Sequence, residues 1–399
     1  MKNKLLALIL CLICLGGCWD KQELEDHTFV IILGVDKADD RDLFITIAFP
    51  ITQTNSGGAE SQDEYSVMSA KAPTIAEAIS LLNVSLAGPV SLFSTKTLVI
   101  SEELARDDLL SHLFSTWRYE QMRNNTNVIV ASSIASDFVS ARVENTLIDP
   151  LRQEDLLLEG AAHSAHSKPI QLLDLTGVIQ TDSRDAAAMY GGLISENPNS
   201  DSESQENFDN TEAPVRSGYL PGQAPLSGHV NTQISGLAVF RGNRMVGVLD
   251  SLEAQTLSMM TRSNTRKLVT LPDPLSPEDR IVFSILPTGK SRARGSLTDD
   301  HPIFDVNVKL RANIEHIRGD ADYDKDFLAE YIRQATEKEM ETLTAKLQHE
   351  LNADLLGLGD RLARNFLTVQ EWEAYGWREK YRDAVINIHL DLALARSGI

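Results

Sequence analysis

From Phe304 to Ile314 every second residue is apolar. Phe304, Val306, Val308, Leu310, Ala312 and Ile314 alternate with Asp305, Asn307, Lys309, Arg311 and Asn313. A period of two over so long a run demands an extended strand with one face buried and one face wet. The period then changes. Over 326–356, Leu328, Ile332, Met340, Leu343, Leu347, Leu351 and Leu355 recur at helical spacing, and Gly357 and Gly359 are expected to end that helix. A short helix is expected near 361–367. Alternation returns at Ile386, Ile388, Leu390, Leu392 and Leu394. Strand, long helix, short helix, strand is an α+β domain in which the leucine stripe packs on its own sheet.

The chain before it reads as a mixed sheet with helices on its faces. Residues 29–35 form a buried-type apolar run, and 43–51 alternate after the turn-rich stretch "DKADDR", which predicts a hairpin. Strands are expected at 65–70, 96–101, 127–131 and 186–194. Helices are expected at 74–82, 102–117, 136–143 and within 150–180. Thr74 with Glu77 three residues on predicts a capping box at the start of the first of these. Residues 234–250 predict a hairpin turning at Arg241-Gly-Asn-Arg244, followed by a helix at 251–260 and a strand at 280–286. The stretch 195–229 is rich in Ser, Asn, Glu, Pro and Gly and poor in aliphatics, which is the composition of a linker or long loop. Residues 288–300 read as a polar, basic connector. The expected organisation is α+β and multi-domain, with about three domains, mixed or antiparallel sheets, packed helices and a long helix in the last domain. Its segments are 1–17, 18–195, 196–230 as the linker, a small middle domain at 231–290 and a C-terminal domain at 291–399.

Residues 1–17 are expected to stand outside the fold. Lys2 and Lys4 precede an apolar stretch over 5–15, too short to span a bilayer, and Gly16-Gly17 then lead into Cys18. Small residues immediately before a cysteine fit the bacterial lipobox, in which diacylglycerol alkylates the thiol and cleavage makes that cysteine the first residue. On this reading Cys11 and Cys14 leave with the leader and Cys18 becomes a thioether. No thiol then remains for a disulfide, a metal or catalysis. The chain carries 37 Lys and Arg against 57 Asp and Glu, and losing Lys2 and Lys4 takes the net charge from −20 to −22. So acidic a body has no footprint for nucleic acid and is repelled by anionic headgroups, so the lipid must hold it. Diacyl attachment gives stable anchoring at roughly 0.8 kcal/mol per buried CH₂. Asp20 and Glu23 read as a capping-box variant directly after the anchor.

Motifs that would carry chemistry are incomplete. Gly289-Lys290-Ser291 resembles a phosphate loop, but Ser284 stands where its first glycine belongs. His349-Glu350 has the start of a zinc-protease helix, but Ala353 replaces the second histidine. Asp320, Asp322 and Asp324 have calcium-loop spacing, but Lys325 and Tyr331 occupy the glycine and glutamate positions. They read instead as acidic residues ahead of a helix N-terminus. His163 and His166 lack a third ligand and read as a solvated pair. No catalytic residue, metal ligand or cofactor is assigned.

"GCWDKQEL" followed by "ILGVD" resembles the opening of the Ger(x)C lipoproteins, the C subunits of bacterial spore germinant receptors. Gly17, Cys18, Trp19, Asp20, Glu23, Leu24, Gly34 and Asp36 match that opening, with Val35 in place of isoleucine. "LVISEELARDDLLSHLFSTWRYEQMRNNTNVIVA", "GLAVFRGNRMVGVLD" and "LNADLLGLGDRLAR" are similar to later elements of the family. The last carries an Asp-x-Leu-Gly-x-Gly-like element at Asp354, Gly357 and Gly359. Trp377 and the closing "RSG" also fit, whereas the acidic stretch around 195–229 departs from the pattern. The resemblance implies three α+β domains, lipid attachment at Cys18 on the outer face of the spore inner membrane, assembly with two integral-membrane subunits of A and B type, and a part in the response to nutrients. For Trp19, Asp20, Gly34, Gly357 and Gly359 the residue types themselves suit capping, turns and core packing. A solitary solute-binding lipoprotein and an anchored cell-wall hydrolase are the rival expectations. Calorimetry with nutrients and assays on peptidoglycan tell them apart.

Overall fold

A computed structural model describes residues 27–39, 42–52, 63–86, 88–109, 122–143, 150–194, 218–224, 231–261, 266–276, 279–289, 291–297, 301–317 and 323–395. The chain enters through β1 (Thr28–Phe29) and continues as β2 (Ile32–Lys37), β3 (Leu43–Thr52), β4 (Asp63–Ala72), β5 (Val90–Ser91), β6 (Thr97–Ser101), β7 (Asn127–Ala131) and β8 (Ala187–Leu193). The connecting helices include α1 (Ile75–Leu82), α2 (Glu102–Arg106), α3 (Ala135–Val143), α4 (Pro150–His163) and α5 (Leu172–Ile179). The predicted hairpin and the Thr74 cap are present: β2 pairs antiparallel with β3, and the Thr74 hydroxyl accepts from the Glu77 N–H. Helix α2 is shorter than the 102–117 expected, and residues 110–121 lie outside the described ones.

Strands β2, β6, β7 and β8 run parallel at the centre of a sheet ordered β10-β9-β8-β7-β6-β2-β3-β4. Central parallel strands need both faces covered, which is why β6 reads Thr-Leu-Val-Ile-Ser with every residue buried. One face packs Leu33, Val35, Leu98 and Val128 against Ile75, Ile79, Leu104, Leu172 and Leu175 of α1, α2 and α5. The other packs Ile32, Val99 and Ile129 against Phe138 and Val139 of α3 and Leu158 of α4.

The sheet is completed by a hairpin from beyond the acidic stretch, β9 (Thr232–Arg241) and β10 (Arg244–Leu249), with β9 antiparallel to β8. Alternation along this hairpin feeds two cores. Ala238, Phe240 and Met245 join the first. Leu237, Val239 and Leu249 point the other way, into a second core with Ala254, Leu257 and Met260 of α6 (Ser251–Thr261). Residues 231–290, expected as a small middle domain, thus divide between two sheets: β9 and β10 end the first, while β11 (Lys267–Pro272) and β12 (Arg280–Pro287) begin the second.

That second sheet is ordered β11-β12-β14-β13, with β13 (Arg292–Leu297), β14 (Pro302–His316) and, parallel to β14 on its far side, β15 (Val385–Ala395). Strand β14 is the alternating run, with Phe304, Val306, Val308, Leu310 and Ala312 buried and Asp305, Asn307, Lys309 and Arg311 exposed. Helix α7 (Lys325–Ala345) buries Leu328, Ile332, Met340 and Leu343 in the core that holds the inner face of β14 and β15. Asp324 caps it by accepting from the Asp326 N–H. Two expectations are corrected. Residues 292–297, expected as connector, are strand β13. Gly357 and Gly359 do not end the long helix: it widens into a π-type turn over Lys346–Glu350 and stops at Asn352, whose φ is +47°. Gly357 instead begins α8 (Leu358–Leu362). After it come α9 (Val369–Tyr375) and α10 (Trp377–Lys380).

Candidate functional site

The motif residues fall into two assemblies. Cys18, Trp19, Asp20, Glu23 and Leu24 lie outside the described residues. Gly34 and Asp36 sit two apart on β2 and so on one face, beneath α3. A Cβ on Gly34 would stand 3.1 Å from Val139 Cγ2, so the missing side chain lets the helix settle onto the strand. Asp36 is 4 % exposed. Its Oδ1 accepts from the Ala135 N–H (2.6 Å) and its Oδ2 from the Ser136 N–H (2.9 Å), the unsatisfied donors of the α3 N-terminus. Burial pushes the Asp36 carboxyl above its ordinary pKa, against the pull of those two N–H groups. "GVD" is therefore a helix-docking device made of one gap and one cap.

The second assembly joins the two sheets. Asp354 follows the end of α7 and is 1 % exposed. Its Oδ1 accepts from the Leu358 N–H (3.1 Å), and its Oδ2 from the Gly359 N–H (2.8 Å) and the Trp377 indole N–H (3.1 Å). Gly357 takes φ +67°, a left-handed conformation that turns the chain so that Asp354 caps α8. Gly359 is needed for a different reason. A Cβ there would lie 2.1 Å from the Ser183 carbonyl oxygen and 2.3 Å from Trp377 Nε1. Ser183 belongs to the segment entering β8, so Gly359 is where the second unit's backbone touches the first.

The contact is sewn with reciprocal hydrogen bonds. The Asp354 N–H donates to Asp185 Oδ2, and the Asp185 N–H donates to the Asp354 carbonyl, both at 3.0 Å. Asp185 Oδ1 accepts from the Gly242 N–H at the tip of the β9–β10 hairpin (3.0 Å). Arg378 of α10 lies with Nε 3.3 Å from that oxygen and donates through Nη1 to Asp182 (2.9 Å) and through Nη2 to the Thr181 carbonyl (2.5 Å). Arg241 in turn reaches Glu379 (2.8 Å). Trp377, 2 % exposed, lies edge-on to Phe304 and Tyr381.

Desolvation pushes the Asp354 carboxyl up to about 6, with the charge of Asp185 adding to the rise and the Gly359, Leu358 and Trp377 donors opposing it. The same burial, with Asp354 and Asp185 nearby, raises the Tyr381 phenol well above its usual value. Both Asp354 oxygens are engaged by the protein's own N–H groups, so this carboxyl has a structural task. Cavities lined by described residues lie elsewhere. One of about 530 Å³ opens beside Asp36, Ser101, Glu102 and Ser132, where Glu102 already accepts from the Tyr190 hydroxyl. One of about 420 Å³ opens beside Arg142, Leu156, His166 and Gln233.

The remaining sequence candidates stay apart. His163 and His166 are both exposed, as are His349 and Glu350. Ser284 donates to Glu315. Lys290, Asp320 and Asp322 lie outside the described residues. No group of three His, Cys, Asp or Glu among the described residues is placed to hold a metal ion. Sequence reading missed Asp185 and Arg378, which reach across 169 and 196 positions of chain to Asp354 and Asp182. It also missed the buried pair Arg142–Glu154 (2.8 Å), which ties α3 to α4. A signal for that pair exists: Arg142 continues the apolar stripe Ala135, Phe138, Val139, where an aliphatic residue would be expected.

Two family models match in order along the chain: the spore germination protein N-terminal domain over residues 20–191 and the spore germination B3/GerAC-like C-terminal domain over residues 235–398. The chain belongs to the Ger(x)C family. YfkR of Bacillus subtilis (strain 168) is 23% identical over 409 residues, covering 99% of this chain and 96% of its own. Spore germination protein B3 of the same organism is 22% identical over 369 residues, covering 90% and 88%. The crystal structure of the GerBC protein superposes with a TM-score of 0.54 at 16% identity, covering 91% of this chain and 96% of that one, which is a likeness of fold. As a Ger(x)C protein the chain has a role in spore germination. Both assemblies above hold the fold together.

Proposed function

We propose that this Ger(x)C protein is a non-enzymatic, lipid-anchored subunit of a nutrient germinant receptor. It is attached through a diacylglyceryl thioether at Cys18 to the outer face of the spore inner membrane and assembled with two integral-membrane subunits of A and B type. One observation carries the reading. The family pattern runs the length of the chain, and its described polar member residues, Asp36 and Asp354, spend their oxygens on internal N–H groups. They position helices and join domains, as a scaffold for partners requires. No described helix is long and apolar enough to cross a membrane, and the attachment proposed here is the lipid expected at Cys18. The test is Cys18→Ala in the spore-forming host. The expected result is loss of the protein from the membrane fraction together with impaired nutrient germination. A variant that stays membrane-bound contradicts the anchor, and one that leaves the membrane with germination intact contradicts the receptor role.

A further inference from the structure

Four of the exposed large apolar side chains gather at one end of the first sheet. Leu81 is 50 % exposed, Val84 84 %, Phe93 53 % and Leu173 46 %. All four lie in the helix ends and loops beside the starts of β2, β6 and β7. The connections are short. Val84 N–H donates to the Leu81 carbonyl (3.2 Å), and the neighbouring Asn83 side chain accepts from the Val90 N–H (2.7 Å) in β5. Strand β5 pairs with β1. The Ser91 hydroxyl accepts from the Phe93 N–H, and the Ser91 carbonyl accepts from the Val30 N–H. Arg123 lies 4.0 Å over the centre of the Phe93 ring, and the Leu173 N–H donates to the Asn124 carbonyl (3.1 Å). These loops therefore surround Thr28, where the chain enters the fold.

That entry point bears on what faces this patch. His27 lies nine positions beyond Cys18, and an extended chain covers at most about 3.6 Å per residue, or roughly 32 Å in all. If Cys18 carries the lipid, the end of the sheet that holds Thr28 is the surface the tether keeps nearest the bilayer. The body's net charge opposes adsorption to anionic lipid. Against that repulsion this end offers branched and aromatic side chains with a guanidinium stacked on the ring, the combination that seats a protein at a headgroup boundary.

We propose that this end face rests in the headgroup layer of the membrane, with Leu81, Val84, Phe93 and Leu173 against acyl chains and Arg123 on lipid phosphates. The inference rests on the anchor reading above, and extends it from attachment to a fixed orientation of the body on the lipid surface.

The test uses the mature lipidated chain in vesicles of phosphatidylethanolamine and phosphatidylglycerol. Single cysteines are introduced as Val84→Cys or Phe93→Cys and labelled with an environment-sensitive fluorophore. Ile134→Cys serves as reference, because Ile134 is exposed just past the opposite end of β7. Labels at 84 and 93 are expected to shift to the blue and to be quenched by lipids spin-labelled near the headgroup, while the label at 134 keeps its aqueous spectrum. Protein that floats with the vesicles but shows an aqueous spectrum at 84 and 93 overturns the inference and leaves the anchor standing. Protein that does not float overturns both. A shift that occurs only when integral-membrane subunits are added makes the patch a protein-docking surface and overturns lipid contact.

Discussion

Replacing Gly359 by alanine tests whether the two sheets are locked where the structure places the lock. The new methyl would stand 2.1 Å from the Ser183 carbonyl oxygen and 2.3 Å from Trp377 Nε1. Neither neighbour is the free end of a flexible side chain. One is backbone, and the other is an indole that is 2 % exposed and holds Asp354. Ordinary contact needs more than about 3 Å, so α8 and the segment 181–185 must part by about 1 Å. That movement stretches both reciprocal Asp185–Asp354 bonds, now 3.0 Å, past hydrogen-bonding distance. Two buried donors left unmet cost roughly 1–3 kcal/mol each, giving a loss of about 2–6 kcal/mol. Urea unfolding followed by tryptophan fluorescence measures it. Gly160→Ala and Gly177→Ala are matched controls, since they lie in α4 and α5 with nothing within 4 Å of a new Cβ. As alanines in helices they should stabilise by about 0.5–1 kcal/mol. If Gly359→Ala falls within about 0.5 kcal/mol of wild type, the reasoning about this contact is refuted.

Asp36→Ala should cost about 2–4 kcal/mol, because two N–H groups at the α3 N-terminus lose a buried charged acceptor. Amide exchange across residues 135–143 should quicken with it, and unchanged exchange there would contradict the capping role. The raised carboxyl of Asp354 sets a pH dependence. Its proton is held more tightly in the folded than in the unfolded chain, so its contribution to stability is full below about pH 4 and is lost as pH rises through about 6. The span of some two pH units corresponds to roughly 3 kcal/mol. Unfolding free energies of wild type minus Asp354→Asn should therefore fall by about that amount between about pH 4 and 7, and a difference independent of pH would refute the assignment. Lys267, fully buried, donates to Thr256 Oγ1 (3.0 Å) and Glu339 Oε2 (3.1 Å). Glu339→Gln should cost about 3 kcal/mol in chemical denaturation, and adding Lys267→Met should recover most of it, since the cost is that of a buried charge deprived of its partner.

Much of this architecture is legible in the residues because the driving patterns are local. The period of two in β14, the stripe of α7 and the Thr74 cap each declare themselves within a few turns of chain. Strand β13 does not. Arg-Ala-Arg-Gly-Ser-Leu has no branched aliphatic run, and it is extended because β14 offers it a ladder and because Gly295 leaves room for the Phe304 ring, which a Cβ would approach to 2.6 Å. The glycines of "DLLGLGD" stand out in the sequence, but their task does not. The need for Gly359 comes from Ser183, far away in the chain, and the turn at Gly357 serves a cap on a helix that begins where another was expected to end. The hidden ion pair of Arg142 shows only as a charge in an apolar stripe, a pattern equally open to a solvent-facing reading.

The shared hairpin dictates an order of assembly. Strand β8 is complete at Leu193, but its neighbour β9 begins only at Thr232, and β10 closes the sheet at Leu249. As the chain emerges during synthesis, the first sheet must wait with β8 as an open margin until dozens more residues arrive. When the hairpin does dock, its second face is at once bare of cover until α6 and the C-terminal strands follow. Maturation of this protein is thus a relay in which each half-built surface recruits the next, and a truncation after residue 230 would strand the first half with an unclosed edge.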